Sequence, residues 1–312
     1  ADYDSRARYA QALHAQGDFA SSQKQFSNLS AKDIPDISAQ VHFDDDFTDT
    51  VASATLEDLS AGLPKIDYNQ HQDFGDRPVI VVSSDYRYFV HFTRPLVLSL
   101  ERYAAGSCLH LHIMDASVQQ LKEAVAWSTS LDTITCAISS EQTGLDRSDP
   151  ENAPAYYHAI RFIRFIQLTA IYRGNLWMID ADALANNNLD ALIGSKEDWD
   201  VALRVRPGRL EPWNVVSAGL VGMKDTLEAH AFYTYVAAYI AQVWRQGVLP
   251  WGIDQMAIYS ALLRFDPKRL RLLMPDELDV DAQPDSIFWF LSGRSKALLA
   301  ELHKHKNDLR DK

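Results

Sequence analysis

An apolar run near the middle of the chain ends in two carboxylates. Residues Leu176–Ile179 are all apolar, Asp180 and Asp182 follow one residue apart, and apolar side chains resume at Ala183. A buried strand normally excludes charge, because an unpaired buried carboxylate is costly. Oxygen ligands on alternate residues suit Mg²⁺ or Mn²⁺, which keep part of their water shell and share the rest with phosphates. The pattern therefore predicts a divalent cation held by Asp180 and Asp182.

Two other groups of polar residues have types and spacings suited to binding or catalysis. Arg161 and Arg164 lie three apart in a helical pattern, so they share one face of that helix. A guanidinium suits bidentate recognition of phosphate, although either residue could instead form a salt bridge on the helix surface. Asp254 and Gln255 follow a Trp-Gly pair, where they could cap a helix, contact a ligand, or do both.

The elements that position these groups alternate between strands and helices, which indicates a parallel sheet with right-handed crossovers. The predicted strands cover residues 79–82, 109–114 and 133–138, and the predicted helices cover residues 92–103, 118–127 and 156–172. Ligands of such sheets bind beyond the carboxyl ends of the strands. We therefore expect Ser84, Asp85, Asp115, Asp180 and Asp182 to lie at one edge of the sheet.

Seven segments in this part of the chain are similar to motifs of one enzyme family. They are Ser84-Asp85-Tyr86-Arg87-Tyr88, His112-Ile113-Met114-Asp115-Ala116, the helix with Arg161 and Arg164, Asp180-Ala181-Asp182, Val215-Val216-Ser217-Ala218-Gly219-Leu220, Trp251-Gly252-Ile253-Asp254-Gln255 and Phe290-Leu291-Ser292-Gly293-Arg294-Ser295-Lys296. On these motifs the chain resembles the retaining glycosyltransferases of family 8, the group that contains glycogenin and bacterial lipopolysaccharide galactosyl- and glucosyltransferases.

The resemblance implies both a fold and an activity. The fold is α/β, a Rossmann-like sheet of the GT-A type that is mostly parallel and flanked by helices. To this the chain adds a small helical appendage at its N-terminus. The activity is transfer of a hexose from a nucleotide sugar, with a UDP-sugar favoured, and with retention of the anomeric configuration. A Mn²⁺ or Mg²⁺ ion would compensate the charge of the departing diphosphate.

The family's site residues carry over onto matching positions of this chain. In the family, the positions of Asp85 and Tyr88 contact the base, and aromatic stacking on a base is chemically sensible; Tyr88 could also be a core aromatic. The donor-binding residues implied are Ser84, Asp85, Tyr88, Asp115, Arg161, Arg164, Ser217, Ala218, Gly219, Gly293 and Lys296. Those implied beside the anomeric carbon are Asp254 and Gln255, and those implied at the metal are Asp180 and Asp182.

Two positions depart from the family pattern. Ser217 stands where the family has Asn, and a hydroxyl offers one donor where an amide offers two. Phe290 stands where the family has a metal-ligating His, and a phenyl ring cannot coordinate a metal. Water or a neighbouring group would have to complete the shell, or the metal affinity is low, or the alignment of this segment is shifted. His303 and His305 lie nearby in the sequence.

The Gln255 position also bears on the mechanism. An amide oxygen is a poor nucleophile, so a covalent intermediate on Gln255 is disfavoured. A short-lived oxocarbenium ion attacked on the face of the departing group is the simpler physical explanation of retention. In that mechanism the departing phosphate accepts the proton of the acceptor hydroxyl.

A basic segment lies between the Asp180-Ala181-Asp182 motif and the segment Val215–Leu220. Arg204, Arg206 and Arg209 cluster around a Pro-Gly pair, and Trp213 follows them. A basic loop with an aromatic residue could bind an anionic acceptor or close on the diphosphate. Arginines in such loops more often face solvent, and the sequence favours that role slightly.

Composition limits the partners. The chain of 312 residues has 30 basic and 42 acidic residues and a net charge of −12, which argues against nonspecific binding of nucleic acid or anionic lipid. Cys108 and Cys136 are too few for a disulfide framework, and no apolar run has membrane-spanning length or the form of a signal peptide. We therefore expect a cytoplasmic protein, although a chain that begins at Ala1 weakens any statement about targeting.

Three regions are expected along the chain. Residues 1–35 have the spacing of a tetratricopeptide-like helical hairpin, or of a generic one, and could contact a protein partner. Residues 36–77 are rich in Asp and form an acidic connector, and residues 78–312 form the GT-A domain. The sequence permits either a protein or a glycan as the acceptor.

Two other functions compete with glycosyl transfer. A sugar-1-phosphate nucleotidyltransferase shares the sheet and the metal chemistry, but it usually carries a Gly-rich basic signature after the first strand, where this chain has Ser83–Tyr88. A binding scaffold that has lost catalytic power would explain Phe290 and Ser217. The carboxylates and the amide at Asp180, Asp182, Asp254 and Gln255 argue against it.

Overall fold

The computed structural model describes residues 3–29, 37, 41–42, 45–145, 152–194, 197–206, 208–247, 249–274, 278–279, 283 and 285–290. The predicted site residues Gly293 and Lys296 lie outside this range, as do His303 and His305. The remaining predicted site residues are all described.

The helices of the described chain are α1 (Tyr3–Ala15), α2 (Phe19–Ser27), α3 (Asp45–Ala52), α4 (Leu56–Ser60), α5 (Tyr86–Tyr88), α6 (Arg94–Tyr103), α7 (Val118–Ser128), α8 (Asn152–Leu168), α9 (Asp190–Ile193), α10 (Pro212–Val215), α11 (Leu227–Arg245) and α12 (Ile253–Leu262). A π-helical turn at Phe89–Thr93 joins α5 to α6, and a 3₁₀ turn covers Pro267–Arg269.

The strands are β1 (Asp67–Gln70), β2 (Val79–Asp85), β3 (Cys108–Met114), β4 (Thr135–Glu141), β5 (Leu176–Ile179), β6 (Ala183–Ala185), β7 (Val201–Val205), β8 (Val216–Met223), β9 (Leu270–Leu272), β10 (Leu278–Asp279) and β11 (Phe288–Phe290). Eight of them form one sheet in the order β1-β4-β3-β2-β5-β8-β7-β9, and β10, β11 and β6 form a small second sheet.

The central part of the large sheet is parallel, as the alternation of strands and helices predicts. β4, β3, β2 and β5 run in one direction, while β8 is antiparallel to both β5 and β7. Residues 79–82, 109–114 and 176–179 are all buried because helices cover both faces of these strands. The predicted α/β class, with a mostly parallel sheet flanked by helices, is therefore confirmed.

Several boundaries differ from those predicted. β2 continues through Ser84 and Asp85, so both residues belong to the strand and do not follow it. The helix expected over 156–172 is α8, which begins and ends four residues earlier in the chain. The region 36–77 contributes β1, which pairs antiparallel with β4 at the edge of the sheet, so the sheet begins before residue 78.

The helix α8 lies in the middle of the molecule, between the sheet and α11. Most of its side chains are apolar and buried, which is expected of a helix covered on all sides. Arg161 and Arg164 lie among them and are themselves 4% and 3% exposed. Buried guanidinium groups need anionic or carbonyl partners, and carboxylates that follow or end neighbouring strands supply them.

The N-terminal helices are not separate from the main core. α1 and α2 pack on each other, and Ala10, Phe26 and Leu29 belong to the same cluster of buried residues as α8 and α11. Gln11 Nε2 donates a hydrogen bond to the carbonyl oxygen of Leu210, 2.6 Å away. The tetratricopeptide-like character of this hairpin stays a prediction. Across the described chain, none of the helices combines the length and hydropathy that crossing a bilayer requires.

Candidate active site

The carboxyl ends of β2 and β5 and the beginning of β8 meet at one edge of the sheet. Asp85 ends β2, and Asp180 follows β5 directly. Because β8 is antiparallel to β5, its first residues lie at this same edge, and the Asp180 amide donates to the Gly219 carbonyl oxygen over 2.8 Å. The predicted metal-binding pair and the predicted sugar-lining segment are therefore neighbours.

A buried arginine joins these elements. Arg161 Nε donates to the His158 carbonyl oxygen (2.9 Å), and Nη2 donates to the Ala218 carbonyl oxygen (3.2 Å). Nη2 also donates to Asp254 Oδ2 (3.1 Å), and Nη1 forms an ion pair with Asp180. These contacts use four of the five N–H groups of the guanidinium. One side chain thus links α8, β8, α12 and the end of β5.

The charges of this cluster are mutually stabilised. Burial acts to lower the pKa of Arg161, but Asp180 and Asp254 outweigh it and raise the pKa above its ordinary value. Burial would raise the pKa of Asp254, yet His158 and Arg161 hold it at about 2. Arg161 is therefore cationic and Asp254 anionic at neutral pH, although neither is accessible to solvent.

The position of Asp254 depends on the backbone conformation of Gly252, which lies in the left-handed region. Gly252 has a φ of +84°, which L side chains rarely adopt, and it turns the chain into α12. Asp254 lies in the first turn of α12 and is fully buried, so it does not present a carboxylate to a ligand in this conformation. The sequence predicts a contact between Asp254 and a sugar hydroxyl. The observed burial favours a role in positioning Arg161 and His158 instead.

His158 is a site residue that the sequence reasoning missed. Its Nε2 lies 2.8 Å from Asp254 Oδ2, and its ring stacks on Trp251 with centroids 4.3 Å apart and planes 15° apart. The His158 side chain is 18% exposed and Trp251 is 50% exposed. The signal was the spacing of His158 and Arg161, which are three residues apart and so share a helix face.

Gln255 shares the first turn of α12 with Asp254. Its backbone amide donates to Asp254 Oδ1 over 2.8 Å. Its side-chain Oε1 is buried, with no hydrogen-bond partner among the residues that the structure describes. A buried acceptor left unpaired costs roughly 1–3 kcal/mol, so it is a group for which a ligand donor would be favourable.

Phe290 lies beside Asp180, where the family resemblance would place a histidine. β11 pairs with β6 so that Phe290 is opposite Ala183. A Cβ added to Gly219 would lie 2.8 Å from Phe290 Cε1 and 3.1 Å from Asp180 Oδ2. The glycine thus leaves room for both the phenyl ring and the carboxylate, and the alignment of Phe290 with this position is geometrically consistent.

The described residues do not fit a divalent cation well. Asp180 is already paired with Arg161, and Phe290 supplies no lone pair at the third position. Within the described ranges no group of three or more His, Cys, Asp or Glu side chains is arranged to hold a metal ion. Asp182 is half-buried in the turn after β5. The predicted Mn²⁺ or Mg²⁺ site stays a prediction.

The residues expected to bind the nucleotide base lie at the end of β2. Asp85 caps α5 by accepting a hydrogen bond from the Tyr88 amide over 2.7 Å. The Tyr88 ring is 38% exposed and packs on Phe92 with ring centroids 4.6 Å apart, so it is not a core aromatic. The Ser84 hydroxyl is buried and within 3.1 Å of Thr93 Oγ1.

Asp115, near the end of β2, connects neighbouring elements through hydrogen bonds to its carboxylate. It follows β3 and has a φ of 53°, which is uncommon for a residue with a side chain. Its carboxylate accepts hydrogen bonds from the Thr143 amide and from the Tyr157 hydroxyl, both over 2.6 Å. These bonds tie the end of β3 to the segment after β4 and to α8.

Arg164 does not join the Asp180 cluster. Its Nη2 pairs with Glu141 at the end of β4 and donates to the Pro64 carbonyl oxygen over 2.8 Å. The spacing of the two arginines could not distinguish them, but the structure does. Arg161 alone lies at the predicted metal and sugar residues, and Arg164 fixes the connector to the sheet.

Comparison with known proteins gives structural likeness without sequence similarity. No protein-family model matches the chain, and no curated protein matches its sequence. Among solved structures it is similar to the apo structure of the WbbM bifunctional glycosyltransferase, with 12% identity over 75% of this chain and 45% of that one and a TM-score of 0.45.

The glycosyltransferase GlyE of Streptococcus pneumoniae TIGR4 is a second structural relative. One structure has 11% identity over 72% of this chain and 60% of that one, with a TM-score of 0.46. Its apo form has 10% identity over 73% and 60%, with a TM-score of 0.47. The chain spans less than two thirds of the length of each of these structures.

Proposed function

We propose that the protein is a glycosyltransferase that moves a hexose from a UDP-sugar to an acceptor hydroxyl with retention. The observation that carries this proposal is the buried Arg161, which gathers Asp180, Asp254 and the Ala218 carbonyl at the ligand-binding edge of the sheet. Buried charges are costly to assemble and need complete pairing. A network of this kind at the edge where parallel sheets bind their ligands is more typical of a functional site than of a stabilising core.

The donor would lie across the edge of the sheet. The base would contact Asp85 and Tyr88 at the end of β2, the diphosphate would lie near Asp180 after β5, and the hexose would lie near Ser217 on β8. Neighbouring strands are about 4.8 Å apart, so β2, β5 and β8 together span roughly 10 Å of this edge, and a bent donor would lie across them. Lys296 and Gly293 are expected to contribute to the diphosphate contact.

The reaction exchanges one bond at the anomeric carbon for another. The bond from that carbon to the β-phosphate oxygen breaks, and a bond to the acceptor oxygen forms on the same face. The departing phosphate oxygen takes the proton of the acceptor hydroxyl. No side chain of the chain forms a covalent bond with the sugar.

Arg161 would act as a positioning residue in this reaction. With four of five donors committed, it has at most one N–H for a substrate oxygen. Its main effect is to fix Asp180, which is 27% exposed, and to hold Asp254 against His158. His158 and Trp251 are then the accessible groups on the acceptor side of the hexose.

Turnover of UDP-sugars tests the proposal. The full chain is incubated separately with UDP-glucose, UDP-galactose and UDP-N-acetylglucosamine, and released UDP is measured with and without EDTA. We expect slow release from one donor, and a rise in thermal stability with UDP. A ligand at about 100 times its dissociation constant stabilises by roughly 2.7 kcal/mol. Absence of both UDP binding and UDP release would reject the function.

A nucleotide-sugar-binding scaffold is the second candidate, because Phe290 lies against the site where a metal ligand was predicted. The scaffold would bind UDP without releasing it from any donor. A preference for UTP and a sugar 1-phosphate over UDP-sugars would instead indicate a nucleotidyltransferase. The EDTA arm separately tests the predicted cation, since a chelator abolishes release only if the metal is needed.

A further inference from the structure

The basic segment after β7 lies one strand beyond the predicted hexose site. β7 pairs with β8 on the side away from β5, so the strand order across the edge is β2, β5, β8, β7. Arg204 is opposite Ser217 in this pairing, and the Arg206 amide donates to the Val215 carbonyl oxygen over 2.7 Å. The arginines are therefore next to the sugar-lining segment and farthest from Asp85.

Arg206 is a half-buried cation with few protein partners. Among the described residues, its guanidinium makes one long hydrogen bond, from Nη1 to the Asn214 carbonyl oxygen at 3.5 Å. Burial lowers the pKa of Arg206, and the charges of Arg204 and Arg209 lower it further. Asp254 and Asp180 act in the opposite direction, which places Arg206 within electrostatic reach of the Arg161 cluster.

This concentration of positive charge is unusual in such an acidic chain, which has a net charge of −12. Asp180 and Asp254 do not form ion pairs with Arg206, because Asp180 pairs with Arg161, and Asp254 pairs with Arg161 and His158. Arg209 is exposed, and no partner of its side chain occurs in the described ranges. Like charges held together at a half-buried position are stabilised when an anion binds between them.

An aromatic platform lies on the same side of the cluster. Trp251 is half exposed and is held by stacking on His158, which in turn contacts Asp254. α10, which follows the basic segment, packs on α12, which follows Trp251. A rigid indole face that is open to solvent is suited to packing against the apolar face of a sugar ring.

We propose that the acceptor is a saccharide that carries a phosphate or carboxylate group, with its ring on Trp251 and its anionic group on Arg206 and Arg209. This inference rests on the proposed function, because it takes the hexose site from it. An anion at this place would be distinct from the donor diphosphate, because β8, which lines the proposed hexose site, lies between β7 and β5 in the strand order. The anionic group would hold the acceptor hydroxyl near the anomeric carbon.

Calorimetry with three matched probes tests the inference. Galactose, galactose 6-phosphate and galacturonic acid are titrated into the full chain with saturating UDP present. We expect both anions, or one of them, to bind at least tenfold more tightly than galactose, and the pair separates phosphate from carboxylate. Charged hydrogen bonds of this kind correspond to roughly 10- to 100-fold in affinity.

Substitutions assign the effect to the arginines. Arg206→Gln should remove the preference for the anionic probe, and Arg206→Lys should restore part of it. Arg102→Gln is the matched control, because Arg102 is an exposed arginine on α6. Trp251→Ala should weaken all three sugars to a similar extent, since an indole contact does not depend on the anionic group.

The outcomes separate this inference from the function on which it rests. Equal binding of galactose and the anions, or binding of none of them, would overturn the inference while UDP binding leaves the function standing. Weaker UDP binding in Arg206→Gln would overturn it too, because Arg206 would then belong to the donor diphosphate. A wild-type chain that binds neither UDP nor UDP-sugar would overturn both.

Discussion

Arg161 and Arg164 lie three residues apart on α8, both are nearly buried, and each pairs with a carboxylate. The partner of Arg164 is Glu141, which is buried completely and also accepts from the Tyr156 hydroxyl over 3.3 Å. The first partner of Arg161 is Asp180, whose side chain is 27% exposed. An arginine–carboxylate pair is thus closed to solvent in one place and partly open to solvent in the other.

Under the proposed function, this difference separates a stabilising ion pair, Arg164–Glu141, from a functional one, Arg161–Asp180. Around Glu141, the connector carbonyl at Pro64 and the helix α8 enclose the charges, and Arg164 fastens these parts together. Around Asp180, the same helix leaves one face open beside His158 and Trp251. We therefore expect Arg164 to matter for folding and Arg161 to matter for the reaction.

The largest expected effect is on stability. Arg164→Gln removes the arginine partner of the buried Glu141 and leaves it the Tyr156 hydroxyl and His112 Nε2, which is 3.7 Å away. Removing one partner of a buried pair typically costs about 3–5 kcal/mol. Urea unfolding followed by circular dichroism measures this loss. UDP release per folded molecule should be unchanged. A loss of release without a loss of stability would reverse the roles assigned to the two arginines.

The matched substitution Arg161→Gln is expected to act on the reaction. It removes the group that fixes Asp180 and Asp254, and losing one element of a preorganised electrostatic site costs roughly 10²–10³-fold in turnover. Rates of UDP release at saturating donor measure this effect. Arg161→Lys should recover only part of the rate, because an ammonium cannot reproduce the four contacts of the guanidinium. Full activity of Arg161→Gln would exclude the proposed site.

The depressed pKa of Asp254 makes a prediction for pH. Ionised Asp254 stabilises the fold above its ordinary pKa of 3.8, and this contribution is lost as the pH falls toward about 2. The difference in unfolding free energy between wild type and Asp254→Asn should thus be constant above pH 4 and shrink by about 2 kcal/mol below it. Urea titrations at pH 2–6 measure it. A difference that grows as the pH falls would contradict the assigned ion pairs.

Alanine substitutions of two glycines on β8, Gly219 and Gly222, are expected to have the smallest effects. A Cβ on Gly222 would lie 2.8–3.0 Å from the ring of the buried Trp177, so Gly222→Ala should cost about 1–3 kcal/mol of stability. A Cβ on Gly219 would meet Phe290 and Asp180 instead. Gly219→Ala should cost stability of the same order and should also weaken UDP binding, because its Cβ displaces Asp180. Gly222→Ala should leave UDP binding unchanged, and parallel thermal and binding measurements on both variants would show the difference.

The parallel centre of the sheet could be predicted because its strands are buried on both faces and therefore read as apolar runs. β1 could not, since Tyr68 and its neighbours are partly exposed and polar, and the strand exists through its pairing with β4. The extension of β2 through Ser84 and Asp85 was likewise hidden, because those side chains resemble a turn. In both places the strand exists because its backbone pairs with a neighbouring strand, and the types of the residues do not reveal that pairing.

The sequence predicts which residues approach one another at the candidate site, but not the contacts that they make. Asp180, Ser217, Ala218, Gly219 and Asp254 come together because their strands and helix end at one edge, which the order of elements already indicates. The partner of each arginine depends on the rotation of α8 against the sheet, and spacing alone does not fix that rotation. His158 was missed for the same reason. Its place at the candidate site depends on its contact with Asp254, which is distant in sequence.

Binding of UDP to the two arginine variants tests the central claim most directly. Isothermal titration calorimetry on wild type, Arg161→Gln and Arg164→Gln, each at a temperature where it is fully folded, gives three dissociation constants. We predict that Arg161→Gln weakens UDP at least tenfold and that Arg164→Gln leaves it within twofold of wild type. Equal affinities for all three proteins, or a selective loss in Arg164→Gln, would contradict a donor site built around Arg161.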